Sequence, residues 1–317
     1  MKTRGPPINQ ITATADSNIL AWLMFFALGL VLDMVIGGRR GLGRLPSLDQ
    51  LLAFLFAPLA SRLDRPMRSP ASLTARSILV QLVFIPLLYM AGTLVNELVL
   101  TPHVGAPLAA LLIARTVCFR GCWDNFRLLG ANEAVKPEDI RQGIEALSLS
   151  LSRDWLGNLV LFVVGGFALL LPFRFLAAMS GQRDLRGAAR PDRPFVRAFT
   201  PLFDLMALPG ALWAGALFAI APIFIPGTQL SAVRGFFAIR LRGILSRLIV
   251  LALVAYALNF SFAFGDGKAT GKQGWIGPEQ GRARLVKADL RTFGKLMLAA
   301  GGIGLVTMTM LSLLIMV

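Results

Sequence analysis

Residues Ile78–Leu100, ILVQLVFIPLLYMAGTLVNELVL, decide the fold class. These 23 residues hold a single charge, Glu97. About 20 consecutive apolar residues in a helix cross the hydrocarbon core of a bilayer. Blocks of similar length and character lie at Asn18–Ile36, Trp155–Met179, Phe199–Ile225, Ile244–Phe264 and Leu296–Val317. Val104–Val117 is shorter and reads as a short span or a re-entrant piece, and Leu51–Leu59 as an interfacial segment too short to cross. Six spans are expected, with a seventh possible.

The whole chain agrees with that run. Hydrophobic residues make up 56% and charged residues 15%, with a mean hydropathy of +0.67. Soluble domains hold roughly 45–50% and about 25%. This balance excludes a disordered chain, a coiled coil and an ordinary cytosolic enzyme. The expected fold is all-α: a polytopic transmembrane helix bundle of six to seven segments in one domain, 1–317. A polar tail (1–17), an amphipathic cytoplasmic insert (120–152) and a basic loop (265–295) frame it. The first block resembles a signal peptide in length, but no small-x-small cleavage site follows it, so an uncleaved span is expected.

In the insert, Lys136-Pro137-Glu138-Asp139 reads as a helix start, with proline in the first turn and acids against the dipole. Ile140, Ile144, Leu147 and Leu151 then form an apolar stripe at 3–4 spacing. Such a helix lies on the membrane surface or runs straight into the next span.

The net charge is +15, from 32 Lys and Arg against 17 Asp and Glu. No nucleic-acid-binding module accompanies it. The bases lie between the apolar blocks, which points to topology and anionic headgroups, with the lipid bilayer as partner. The basic loops 37–77, 180–198 and 265–295 cannot all be cytoplasmic if six spans simply alternate. One block must therefore break, and Trp155–Met179, interrupted by Gly165-Gly166 and Pro172, is the expected place.

Few residue sets can carry chemistry. His103 is the only histidine, which argues against a His-centred triad or a His-rich metal site. Cys118 and Cys122 stand one helical turn apart and read as small packing residues, the alternative being a metal or redox pair. The glycine-rich loop Gly37–Gly43, with Arg39 and Arg40, has the composition of an anion cradle but not the G-x-G-x-x-G order. Gly265–Lys272, with Lys268 and Lys272, resembles a P-loop in composition only. A charge near the centre of a span costs roughly 2.5–3.5 kcal/mol on insertion scales. Asp33, Glu97, Asp154, Asn158, Arg174, Asp204 and Asn259 lie in or beside apolar blocks; Arg174 and Asp204, the deepest, are candidates for a structural ion pair, the alternative being a substrate pocket.

The order of certain residues adds a resemblance. Ile144-Glu145-Ala146-Leu147, Ser152, Gly165-Gly166 and Phe173-Arg174 resemble, without gaps, the central region of the CbiB/CobD family of cobalamin-biosynthesis membrane proteins, the adenosylcobinamide-phosphate synthases. Leu32–Gly37, Leu205–Leu212, Trp275-Ile276-Gly277, Gly281-Arg282 and Ala288–Arg291 are similar to further family stretches in the same order. The resemblance implies a bacterial inner-membrane ligase that uses ATP and magnesium to join an aminopropanol (phosphate) to cobyric acid, a corrinoid. It implies catalytic roles for Glu145, Asp154 and Arg174, with magnesium on Glu145 and Asp154. It also implies substrate or phosphate contacts from Asp33, Arg39, Arg40, Asp204, Lys268 and Lys272.

The chain departs from the family where its polar site lies. Leu149, Ser150 and Arg153 replace a Glu, an Asn and an Asp, and Ala177–Ser180 replace an Asn-Thr-Leu-Asp. These losses support a second reading: a non-catalytic relative, a sensor or partner subunit like the AmpE-like membrane proteins.

Overall fold

The computed structural model describes residues 8–37, 46–65, 68–100, 105–117, 119–132, 134–181, 193–229, 233, 245–264, 274–278, 280–282 and 284–316. The helices are α1 (Ile8–Ile36), α2 (Leu48–Leu63), α3 (Pro70–Val99), α4 (Gly105–Val117), α5 (Phe119–Ala131) and α6 (Pro137–Leu149). A π-helical segment, Ser150–Gly157, leads into α7 (Asn158–Gly165) and α8 (Phe167–Met179). Then come α9 (Pro194–Arg197), α10 (Thr200–Ile220) with a 3₁₀ turn at Ala221–Phe224, α11 (Leu245–Leu258) and α12 (Lys287–Met316). Two three-residue strands, β1 (Phe262–Phe264) and β2 (Gly274–Ile276), pair antiparallel before α12.

Among the described residues, six stretches are long and apolar enough to cross a membrane: Ile19–Ile36, Pro70–Val99, Gly105–Ala131, Pro137–Gly165, Pro194–Phe224 and Lys287–Met310. The chain is an all-α, multi-pass membrane protein. Leu79, Leu82, Met90 and Leu94 on α3, and Met24 and Val35 on α1, are exposed. An apolar surface of that extent belongs against lipid.

The break expected in Trp155–Met179 is present. Gly166 has φ +59°, where a side chain is strained, and it separates α7 from α8. Asn96 of α3 seals the gap: its Nδ2 donates to the Gly165 carbonyl (3.2 Å), and the Phe167 N–H donates to its Oδ1 (2.7 Å).

Of the two placements expected for the amphipathic helix, the structure shows the second, and other boundaries shift. The Ile140–Leu151 stripe is buried, and α6 runs straight through the π-helical segment into α7 as one continuous run. Gly105–Val117 is the first part of a longer run that α5 continues. Within Ile244–Phe264 the described residues form the 14-residue α11, which is buried inside the bundle, followed by β1. Burial by protein, and not by lipid, explains why so short a helix suffices.

Segment Leu51–Leu59 is the core of α2, which does not lie apart from the bundle. Arg76 Nη1 donates to the Leu63 carbonyl (3.3 Å), and Phe56 meets Phe84 edge to face with centroids 4.8 Å apart. Moving back along α2 therefore moves forward along α3, so the two form an antiparallel pair. Phe175 of α8 packs against both Phe56 and Phe84. The N-terminus of α2 is thereby carried into the bundle, fixed by the Ser47/Gln50 capping box.

Candidate functional site

A π-helix is rare, and usually one turn long; here it runs for eight residues, all buried. The wider turn presents Arg153 and Asp154, neighbours in sequence, to two different helices. The Arg153 guanidinium lies 5.2 Å from the centre of the Phe203 ring on α10. The Asp154 carboxylate accepts from Arg174 Nη1 of α8 at 3.0 Å. Close packing holds the segment in place. A Cβ on Gly210 of α10 would lie 2.5 Å from the Gly157 Cα and 2.6 Å from the Ser152 carbonyl oxygen.

Arg174 is 1% exposed and ties four elements together. Its Nε pairs with Asp49 Oδ1 at 2.7 Å and its Nη2 donates to Asp49 Oδ2 at 2.9 Å, a two-pronged grip on α2. Nη2 also donates to the Thr116 carbonyl at the end of α4 (2.7 Å), and Nη1 reaches Asn158 Oδ1 at 3.5 Å. The candidate partner, Asp204, is elsewhere. Asp204 Oδ1 accepts from the Ser246 N–H (2.7 Å) in the first turn of α11, where a carboxylate meets the positive end of the helix.

Arg247, one residue further along α11, pairs with Glu145 of α6. Arg153 faces Arg247, Asp154, Asp204 and Glu145. Two of the predicted site residues, Asp154 and Arg174, are buried and paired, and Glu145 and Asp204 are half-buried and lie within the electrostatic reach of Arg153. Arg153 links them, and the centre so formed sets the carboxylates of Asp49, Asp154, Glu145 and Asp204 against the guanidinium groups of Arg153, Arg174 and Arg247.

Asp33 belongs to a separate knot. It is 1% exposed, accepts from the Arg120 N–H at 3.0 Å, and so ties α1 to the start of α5. Arg120 Nη1 donates to the Met34 carbonyl (2.9 Å). Arg39, Arg40, Lys268, Lys272, His103 and Cys118 lie outside the described residues, as does most of the two glycine-rich loops. Cys122 is half-buried.

Sequence reasoning missed Asp49 and Arg247. Asp49 has a local signal, since Ser47-Leu48-Asp49-Gln50 spells a helix start immediately before an apolar run. Arg247 sat near the edge of an apolar block and drew no notice.

The family resemblance implies a magnesium ion. Such an ion is held by one or two carboxylates together with waters and substrate phosphates. Here Asp154 is bound by Arg174 and Glu145 by Arg247. No group of three or more His, Cys, Asp or Glu side chains comes together to hold a metal among the described residues. As arranged, these side chains do not fit the ion, and no reaction step is drawn through it.

Comparison with family models, curated proteins and solved structures returned no match. The family resemblance rests on the residues quoted for it.

Proposed function

We propose that this chain is a non-catalytic inner-membrane relative of the cobinamide-phosphate synthases, acting by binding as a sensor or partner subunit. One observation carries this reading: the two carboxylates that a magnesium-dependent ligase would need are each held by an arginine of the same chain. Arg174, the residue that would meet a phosphate or a propionate, is engaged by Asp49, Asp154 and the Thr116 carbonyl. The charges that converge at the π-helical segment serve to join helices in this reading.

A second reading keeps the ligase. It is favoured by the grouping of Glu145, Asp154 and Asp204 about Arg153 and the pairing of Asp154 with Arg174, residues which the family resemblance singles out. Expression in a strain lacking its own synthase, supplied with cobyric acid, separates the two. The expected result is no cobinamide formation with the protein demonstrably inserted in the membrane. Rescue that is lost on Glu145→Ala would overturn the non-catalytic reading.

A further inference from the structure

The α2–α3 turn and α9 gather a one-sided charge that the buried centre does not use. Arg62, Arg65 and Arg68 are exposed at the end of α2 and in the turn that follows. The Arg68 N–H donates to the Arg65 carbonyl at 3.2 Å, and Arg76 holds the Leu63 carbonyl. α9 is fastened to it, because Arg193 Nη1 pairs with Asp64 Oδ2 at 2.8 Å. The exposed Arg197 sits one residue from Ala198, whose carbonyl accepts from Gln81 Nε2 of α3 at 3.1 Å. Among the described residues, these two segments carry six arginines and one carboxylate, Asp64, which Arg193 already occupies. At the far end of α3 the charge is reversed, with exposed Glu97 and no base among the described residues 77–100.

The surroundings identify the occupant. On α3, exposed Ile78, Leu79, Leu82 and Val83 follow Arg76 directly. On α2, exposed Leu51, Phe54 and Leu55 precede Arg62. Two apolar, lipid-facing surfaces therefore run into one cationic collar. A ligand that fits both parts has acyl chains and an anionic phosphodiester head. Guanidinium groups suit that head through paired N–H donors, and basic residues beside a membrane gain from anionic lipid individually.

We infer that the collar of Arg62, Arg65, Arg68, Arg76, Arg193 and Arg197 is a binding site for the headgroup of an anionic phospholipid. The site stands whichever of the two functional readings holds. It places this end of the bundle at the cytoplasmic face, since bases flanking spans remain inside.

The test uses the full chain, reconstituted in nanodiscs of phosphatidylcholine with or without phosphatidylglycerol. Native mass spectrometry then counts the phospholipids retained after the disc is removed. The wild type should keep phosphatidylglycerol in preference to phosphatidylcholine. R62Q/R65Q/R68Q should lose that preference by at least about tenfold. The control R127Q/K136Q/R291Q removes the same charge from exposed positions elsewhere and should keep it. Millimolar inorganic phosphate should not compete, because it lacks the acyl chains. An unchanged preference in the collar variant overturns the proposal. So does an equal loss in the control, or displacement by free phosphate.

Discussion

Helices α3 and α8 read almost alike as sequence and occupy opposite environments. Both are apolar, both contain an internal proline, and they pack against each other. Yet α3 buries only seven of its 30 residues, while α8 buries ten of its 13. Lipid and protein interior are equally good solvents for leucine, so hydropathy cannot tell a lipid-facing helix from a protein-facing one. Their charges do. α8 carries Arg174 in its third turn, where only protein can satisfy it; α3 keeps Arg76 and Glu97 near its two ends.

The sharpest way to break this contrast is to remove the charge that marks α8. Arg174→Leu leaves Asp49 and Asp154 buried without their cation. Loss of one member of a buried ion pair costs about 3–5 kcal/mol. The variant should give little folded protein, with a steep loss of thermal stability in detergent. An unchanged melting temperature would show that the Arg174 knot does not hold α2 and α4 to α8. Replacing all three, as D49L/D154L/R174L, should recover part of that loss, because neither carboxylate is then left facing the missing guanidinium.

The next test moves to the packing that presents Arg153 and Asp154. Gly210→Ala drives a methyl into the Gly157 backbone, a close contact between main chains that have no side-chain freedom to yield. Overpacking of this kind costs about 1–3 kcal/mol. A destabilisation in that range is expected from thermal unfolding. A variant as stable as the wild type would mean that α10 can slide off the π-helical segment at little cost.

α3 itself has a face turned to the protein, and Asn96 lies on it. Asn96→Ala removes the two hydrogen bonds that close the α7–α8 break, leaving the Gly165 carbonyl and the Phe167 N–H unpaired. An unmet buried group costs about 1–3 kcal/mol, and Asn96 is only partly buried, so about 1 kcal/mol is expected. Hydrogen exchange should rise at Gly166 and Phe167 before it rises elsewhere on α8. Uniform exchange along α8 would remove Asn96 from that role.

These residues also show what the sequence discloses. Four membrane segments, in α1, α3, α10 and α12, the Gly165-Gly166 break and the Ile140–Leu151 stripe were legible because each is written in local composition or spacing; the spans Gly105–Ala131 and Pro137–Gly165 were not, because part of each reads as an amphipathic insert. The location of α11 was not, since a block of apolar residues looks the same whether lipid or protein covers it. Nor was the Arg174–Asp49 pair, which joins residues 125 positions apart. Local pattern carries no information about which carboxylate lies opposite a buried guanidinium. Proximity in the list of intramembrane charges suggested Asp204 instead, and the need of α11 for an anion at its first turn drew that residue away.

The smallest effect should come from the outer face of α3. Leu82 is 68% exposed, so Leu82→Ala exchanges one lipid-facing side chain for another and opens no cavity in the protein. A change within about 0.5 kcal/mol is expected, as for substitutions away from packed features. In a soluble protein the same face would be an aggregation hazard, and trimming it would aid solubility in water. Here Leu82→Ala should behave like the wild type in nanodiscs and still require lipid or detergent. If it costs as much as Gly210→Ala, then α3 is covered by another protein surface at that point, and α3 and α8 differ less in environment than their exposure in the single chain indicates.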